Sequence, residues 1–125
     1  MFAELGSSLK QWKDLKAAEA VARATMEVAS RFGDFPANAV LGIGGPHYNS
    51  KFTRIALEND FAFGHIIPKY AVSSIDLQIL KQCIARTLER VELTILDWKG
   101  IRGEHKSKLV EMLKETGVPF KKAKH

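Results

Sequence analysis

The fold is decided by a continuous apolar stretch, AVLGI at residues 39–43, which runs directly into the turn-forming residues Gly44-Gly45-Pro46. An apolar run of this length is typical of a strand that is buried on both faces, as the strands of parallel sheets are. The glycines and the proline that follow force the chain out of the sheet. We therefore predict a buried strand over residues 39–43 that ends in a sharp turn.

Helical periodicity predicts helices on both sides of this strand. The first is one long amphipathic helix from Leu9 to about Phe32, which begins at a capping box of Ser8 and Gln11 and is closed by Gly33. The other predicted helices cover Ser50 to Leu57, a segment that begins at a cap of Ser73 or Ser74 and runs on to Val91, and about His105 to Thr116.

Four further apolar stretches have the length of strands. They lie at Phe2–Leu5, Phe61–Ile67, Leu93–Leu96 and, as an edge strand, Val118–Phe120. Strands and helices thus alternate along the chain, which favours a mostly parallel sheet with helices on both faces. We predict a three-layer α/β fold built as a single domain over residues 1–125, with its ligand sites beyond the carboxyl ends of the strands.

Composition excludes several classes of protein. The chain has 125 residues, 46% of them hydrophobic and 26% charged, as in ordinary globular domains. No apolar run approaches the roughly 20 residues of a membrane helix, and no basic segment precedes an apolar one at the N-terminus. The lone cysteine, Cys83, lies in an apolar helical pattern, so we expect a core residue, no disulfide and a cytoplasmic protein.

The net charge of +5 is concentrated near the end of the chain. Residues 99–125 hold 8 Lys or Arg and 3 Asp or Glu, whereas residues 1–98 hold 11 of each kind. The tail lysines Lys121, Lys122 and Lys124 suit contacts to nucleic-acid phosphates. A solvated basic terminus is the alternative.

The turn after the buried strand carries the strongest candidate site. Paired glycines at Gly44 and Gly45 allow the backbone to approach a ligand, and His47 and Tyr48 add a base and a hydroxyl. Neither GxGxxG nor a Walker A sequence is present, so this is not a phosphate loop of those types. The alternative is a glycine turn beside an exposed histidine.

Two further segments follow predicted strands. His65 lies in an apolar run that leads to Lys69 and Tyr70, and a histidine in such a run is usually a core residue. If the two strands are neighbours, His47 and His65 could face each other as metal ligands or as a base and its orienting group. The third ligand would then be Glu4 or Asp97.

The other segment is DWKGIRGEH at residues 97–105. Asp97, Trp98, Lys99 and Arg102 form a candidate platform for a polyanion with an exposed base, through phosphate pairing and stacking. A polar turn with Trp98 covering the sheet edge is the alternative.

Taken together, these segments resemble the C-terminal half of the archaeal and plant type of D-aminoacyl-tRNA deacylase. The resemblance rests on five segments in this order: FAELGSS at 2–8, QWKD at 11–14, GIGGPHY at 42–48, FGHIIPKYA at 63–71 and DWKG at 97–100. It implies a phosphorylase- or hydrolase-like three-layer fold. It also implies hydrolysis of the ester between a D-amino acid and the 3′ end of tRNA, with zinc as cofactor.

The resemblance also frames the expected roles of the candidate residues. We expect His47, Tyr48 and His65 to be catalytic, and His47, His65, Glu4 and Asp97 to hold zinc. The substrate would be bound by Gly44, Gly45, Lys69, Tyr70, Trp98, Lys99 and Arg102. Members of that family are longer, so the missing N-terminal half or a second copy of this chain is an expected partner. A noncatalytic tRNA-binding or RNA-binding module, and a metal-dependent phosphorylase-like or peptidase-like hydrolase of a small substrate, are the alternatives.

Overall fold

A computed structural model describes residues 3–124 of the chain. They fall into two compact units, Met1–Pro36 and Ala37–His125, and each unit is described by itself. The single domain expected over residues 1–125 stays a prediction.

The first unit is helical. A short helix α1 covers Leu9–Trp12 and a longer helix α2 covers Leu15–Arg31. The predicted capping box of Ser8 and Gln11 is confirmed. The prediction of one long helix from Leu9 to Phe32 is wrong, because Asp14 caps a new helix by accepting a hydrogen bond of 3.1 Å from the Ala17 backbone N–H.

The strand predicted at Phe2–Leu5 is not found in the part of it that the structure describes. Residues 3–5 belong to no strand, and Phe2 lies outside the described residues. Just after this segment, the Gln11 side chain accepts hydrogen bonds from the backbone N–H groups of Ser7 and Ser8. These hydrogen bonds tie the chain just after the predicted strand to the start of α1.

The second unit is a parallel sheet with helices. Within the described residues it contains four strands, β1 to β4, and three α-helices, α3 to α5. In chain order they are β1 Asn38–Ile43, α3 Ser50–Glu58, β2 Phe61–Ile67, α4 Leu77–Ala85, β3 Leu93–Leu96, α5 Gly103–Thr116 and β4 Phe120–Lys122. The strand order is β2-β1-β3-β4, and every pairing is parallel. The predicted parallel α/β fold is confirmed, with the edge strand shifted from residues 118–120 to 120–122.

Helices cover both faces of this sheet. Leu41, Ile43 and Leu96 point to one face, where they form a core with α4 and α5. Val40 and Ile95 point to the other face and pack against Phe52 of α3. Because successive side chains of a strand alternate between faces, the continuous apolar runs of β1 and β3 supply both cores at once.

The helix predicted from Ser73 or Ser74 to Val91 is shorter than expected. Its cap is Asp76, whose carboxylate accepts a hydrogen bond of 2.8 Å from the Ile79 backbone N–H, so the prediction of a serine cap is wrong. Ser73 and Ser74 lie in a short 3₁₀ turn before it. The helix ends at Ala85, and Leu88 is 91% exposed beyond it.

The final helix agrees with the sequence at its end and begins slightly earlier. It starts at Gly103 and stops at Gly117, which takes a left-handed conformation with φ of 72°. In the described part of the chain, no helix combines the length and the apolar character that a membrane span requires.

Candidate functional site

The carboxyl ends of three strands meet through backbone hydrogen bonds. The Gly44 N–H donates to the Ile67 carbonyl of β2 at 2.8 Å, and the Lys69 N–H donates back to the Gly45 carbonyl at 2.9 Å. The Gly45 N–H donates to the Gly100 carbonyl, just after β3, at 3.3 Å. The candidate segments at Gly44-Gly45, Lys69 and Asp97–Gly100 are therefore brought together, and we call this region the strand-tip site.

Both glycines of the turn are required by this geometry. Gly44 and Gly45 have φ of 105° and 78°, values that residues with a Cβ rarely adopt. A Cβ on Gly44 would lie 2.8 Å from the Asp97 carbonyl oxygen, and one on Gly45 would overlap the Asn49 side-chain amide. The sequence interpretation of a turn with a close backbone approach is thus correct, although the close neighbour here is protein.

Asn49 is a buried polar residue that the sequence interpretation did not assign to the site. Its side-chain amide donates to the Gly44 carbonyl at 3.0 Å, and its side-chain oxygen accepts from the Phe52 N–H at 3.0 Å. It therefore caps α3 and ties that helix to the glycine turn. An Asn directly before a helical pattern is a recognised N-cap signal, so the sequence contained the information.

Lys51 is the second residue that the sequence interpretation missed. Its ammonium group pairs with the Asp97 carboxylate, and the two side chains are only 22% and 8% exposed. Asp97 Oδ1 also accepts from the Gly100 N–H at 3.3 Å. The pair joins the first turn of α3 to the end of β3. No local signal reveals it, because 46 residues separate the partners along the chain.

His47 and Tyr48 lie in the loop between the glycine turn and α3. Their rings are edge-to-face, with centroids 5.2 Å apart, and Tyr48 is 89% exposed. Both line a pocket of about 460 Å³ whose other walls are mainly apolar residues of α3 and β2, including Phe52, Phe63 and Ile66. We call this the His47 pocket. It places an imidazole and a phenol at the mouth of an apolar cavity.

His65 lies on the opposite face of the sheet. Val40 is opposite Phe63 and Leu41 is opposite His65, so Gly64 is an extra residue that forms a β-bulge. Without the bulge, His65 would share the face of Phe63. With it, His65 shares the face of Leu41, the side covered by α4 and α5.

The contacts of His65 agree with this placement. Its Nδ1 lies 3.1 Å from the hydroxyl of Thr87, just beyond α4. That hydroxyl donates to the Cys83 carbonyl at 2.9 Å, so it accepts the Nδ1 proton of His65, an assignment from the hydrogen-bond network. The expectation that His47 and His65 face each other is therefore not met.

The predicted zinc ligands do not fit a zinc ion in this arrangement. His47 and His65 point to opposite faces, and the Asp97 carboxylate is held by Lys51. Glu4 as a ligand stays a prediction. Across residues 3–124, no three side chains of His, Cys, Asp or Glu lie together as a metal site would require. Zinc stays a prediction from the resemblance alone.

The remaining predicted binding residues lie around the strand-tip site. Lys69, Tyr70, Lys99 and Arg102 are exposed. Arg102 lies 3.9 Å from Glu104 in an exposed ion pair. Trp98 is partly buried against the core, and the ammonium groups of Lys106 and Lys122 lie 4.8 and 4.2 Å from its ring centroid. Stacking of a base on Trp98 stays a prediction.

Cys83 has no environment that would activate a thiol. It lies in α4 and packs against the core, and burial raises the pKa of its thiol above the ordinary value of 9.0. The thiol is therefore protonated near neutral pH. This supports the interpretation of Cys83 as a core residue.

The fold and the site define a three-layer α/β protein that carries its candidate residues at the carboxyl ends of parallel strands. A family model described as D-aminoacyl-tRNA deacylase matches residues 1–121. The chain belongs to the D-aminoacyl-tRNA deacylase family.

Individual relatives agree with this assignment. The chain is 40% identical over 120 residues to a D-aminoacyl-tRNA deacylase of Pyrococcus furiosus. The matched region covers 96% of this chain and 43% of that protein. It is 36% identical over 126 residues to one of Methanocaldococcus jannaschii, covering 98% and 48%. The chain therefore spans less than half the length of these relatives.

A solved structure shares the fold. The crystal structure of a conserved protein of unknown function, AF0625, is similar with a TM-score of 0.78 and 33% identity. The similarity covers 94% of this chain and 41% of that one.

Proposed function

We propose that this chain contributes the His47 pocket to a hydrolase that cleaves the ester between a D-amino acid and the 3′ end of tRNA. Family membership over residues 1–121 supports the reaction type. The observation that carries the assignment to this place is the His47 pocket itself, in which an imidazole and a phenol border an apolar cavity of about 460 Å³ next to the strand tips. An aminoacyl side chain fits such a cavity while its ester stays at the polar mouth.

The residues of the pocket suggest their roles. An imidazole nitrogen of His47 takes a proton from a water molecule as that water attacks the ester carbonyl. The Tyr48 hydroxyl donates a hydrogen bond to the oxygen that becomes negatively charged. The bond to the ribose oxygen then breaks and the proton is returned to it, so the products are a free D-amino acid and tRNA.

The rest of the substrate would be held by exposed cations. Lys69, Lys99 and Arg102 surround the strand-tip site and suit phosphates of the acceptor end. His65 lies on the other face of the sheet, so the proposed reaction does not use it. No step is assigned to a metal ion, since the described residues do not fit one.

A cytoplasmic location is part of the proposal, because the aminoacylated tRNA used in translation is found in the cytoplasm.

The longer relatives also suggest a protein partner, either the portion that they have in addition or a second copy of this chain. Sedimentation of the chain alone and with that portion of the Pyrococcus furiosus relative tests both.

The proposed function is tested with D-tyrosyl-tRNA and L-tyrosyl-tRNA. The chain, alone and mixed with the remaining portion of the Pyrococcus furiosus relative, should release D-tyrosine at least about tenfold faster than L-tyrosine. Tight binding of tRNA without release of either amino acid would instead favour a noncatalytic RNA-binding module, for which the basic end of the chain is the supporting observation.

A further inference from the structure

A second cavity lies on the other side of α3 from the His47 pocket. It has a volume of about 480 Å³, and we call it the α3–β4 groove. Its charged walls are Arg54 and Glu58 of α3 and the lysines Lys121, Lys122 and Lys124 in and after β4, of which Lys122 has its ammonium group over the Trp98 ring. Its apolar surface includes Phe61 and Ile95. Cations therefore outnumber the single carboxylate among the described residues that line it.

The register of the sheet directs Lys121 into the groove. Ile95 is paired with Lys121, and paired residues of parallel strands point to the same face. Ile95 packs against α3, so the Lys121 side chain lies on the α3 face of the sheet as well. Its ammonium group lies 5.4 Å from the Phe61 ring centroid, which is cation–π distance.

One end of the groove lies close to the strand-tip site. Ala123 lines the groove, and its N–H donates to the Leu96 carbonyl, directly before Asp97, at 2.8 Å. Lys51 and Arg54 are one helical turn apart and lie on the same side of α3. Lys51 is fixed at the strand tips by Asp97, and Lys124 follows the carboxyl end of β4. The side of α3 that begins with the Lys51–Asp97 pair at the strand tips therefore continues to Arg54 in the groove.

Cations beside an aromatic and aliphatic floor suit single-stranded RNA, since phosphates pair with Lys or Arg and bases stack on aromatic rings. We propose that the α3–β4 groove binds the backbone phosphates of the single-stranded 3′ end of an RNA. That the RNA is tRNA rests on the proposed function. From this groove, the last nucleotide crosses the strand-tip end of α3 and brings its ester to the His47 pocket.

The proposal is tested with deacylated tRNA and a variant that combines Arg54→Gln, Lys121→Gln and Lys124→Gln. These side chains belong to exposed residues, so the variant should fold, which thermal unfolding verifies. If each cation meets one phosphate, the slope of log affinity against log salt falls by about 2, and affinity at 0.1 M salt falls on the order of 100-fold.

The matched control combines Lys81→Gln, Lys108→Gln and Lys114→Gln, which remove the same charge from exposed residues of α4 and α5 on the opposite face. It should change the salt slope by less than about 0.5. A tRNA that lacks its four unpaired 3′ nucleotides should bind the groove variant and the unmodified chain equally. Equal losses in the groove and control variants, or a groove effect that persists with the shortened tRNA, would overturn the proposal.

The outcome does not depend on catalysis. Deacylated tRNA has no ester, so normal binding through the groove without release of D-tyrosine would contradict the proposed function alone. Release of D-tyrosine together with an unchanged salt slope in the groove variant would contradict this proposal alone. Inorganic phosphate that competes for the groove as strongly as the whole tRNA would show a small-anion site and would also overturn it.

Discussion

Gly45 shows how closely the strand-tip site is packed. Its backbone has φ of 78°, and a Cβ there would overlap the Asn49 amide and lie 3.1 Å from Asp97 Oδ2. We expect Gly45→Ala to lower the free energy of unfolding by about 1–3 kcal/mol, because it combines backbone strain with loss of the Asn49 contact. Urea unfolding provides the measurement.

Gly103 provides the matched control for this substitution. A Cβ on Gly103 meets nothing within 4 Å, and its φ is not positive. Gly103→Ala should leave stability unchanged or raise it by up to about 1 kcal/mol. Equal effects of the two substitutions would mean that the turn is not packed as described.

Removal of one partner of the ion pair between Lys51 and Asp97 should destabilise the second unit. Lys51→Met leaves the carboxylate of Asp97, which is 8% exposed on its side chain, without its cation. Removal of one partner from a buried pair costs about 3–5 kcal/mol. Since Lys51 keeps some contact with water, we expect a loss near 3 kcal/mol in urea unfolding.

An exposed pair in the same unit calibrates this effect. Arg102 and Glu104 have side chains that are 80% and 67% exposed, so Arg102→Met should change stability by less than about 1 kcal/mol. If Lys51→Met cost no more than Arg102→Met, the buried pair would not be formed in solution.

Among the secondary-structure elements, α4 has a different N-cap from the one that the sequence predicts. The sequence favours a cap at Ser73 or Ser74, whereas Asp76 makes the capping hydrogen bond. Asp76→Ala should lower the free energy of unfolding by about 1 kcal/mol, and Ser74→Ala should have almost no effect. Amide hydrogen exchange in the first turn of α4 resolves the two, and faster exchange in the Ser74 variant would refute the assignment.

The strands β1, β2 and β3 were the most predictable elements. The bounds of β2 and β3 agree with their apolar runs, because a buried parallel strand needs apolar residues on both faces. The break before α2 was missed, since the apolar period continues through Asp14 while the capping hydrogen bond of Asp14 interrupts the helix. The periodicity of apolar residues shows which side of a helix is apolar, but it does not show where one helix ends and the next begins.

The candidate site was predictable in part, because its position follows from the order of strands and helices. Strand ends converge by topology, so Gly44-Gly45, Lys69 and Asp97 could be grouped from the sequence. The direction of a single side chain could not be foreseen at His65, because the bulge at Gly64 changes its face and depends on pairing with β1. The partner of Asp97 depends on tertiary packing in the same way.

In the second unit as a whole, α3 separates two cavities of different chemistry. The His47 pocket is largely apolar, and the α3–β4 groove is basic. The strand-tip site adjoins the His47 pocket through Asn49. It lies close to the α3–β4 groove at Ala123, whose N–H donates to the Leu96 carbonyl just before Asp97. This arrangement suits a substrate that combines an aminoacyl group with a polyanionic chain.

The central claim is that ester cleavage is centred on His47 and not on His65. Its most direct test is the single-turnover rate of D-tyrosine release from D-tyrosyl-tRNA, measured for His47→Ala and His65→Ala, with His105→Ala as a control. His47→Ala should lower the rate at least about 100-fold, as loss of a general base does. The other two should stay within about threefold of the unmodified protein. An unchanged rate for His47→Ala, or an equal loss for His65→Ala, would contradict the account.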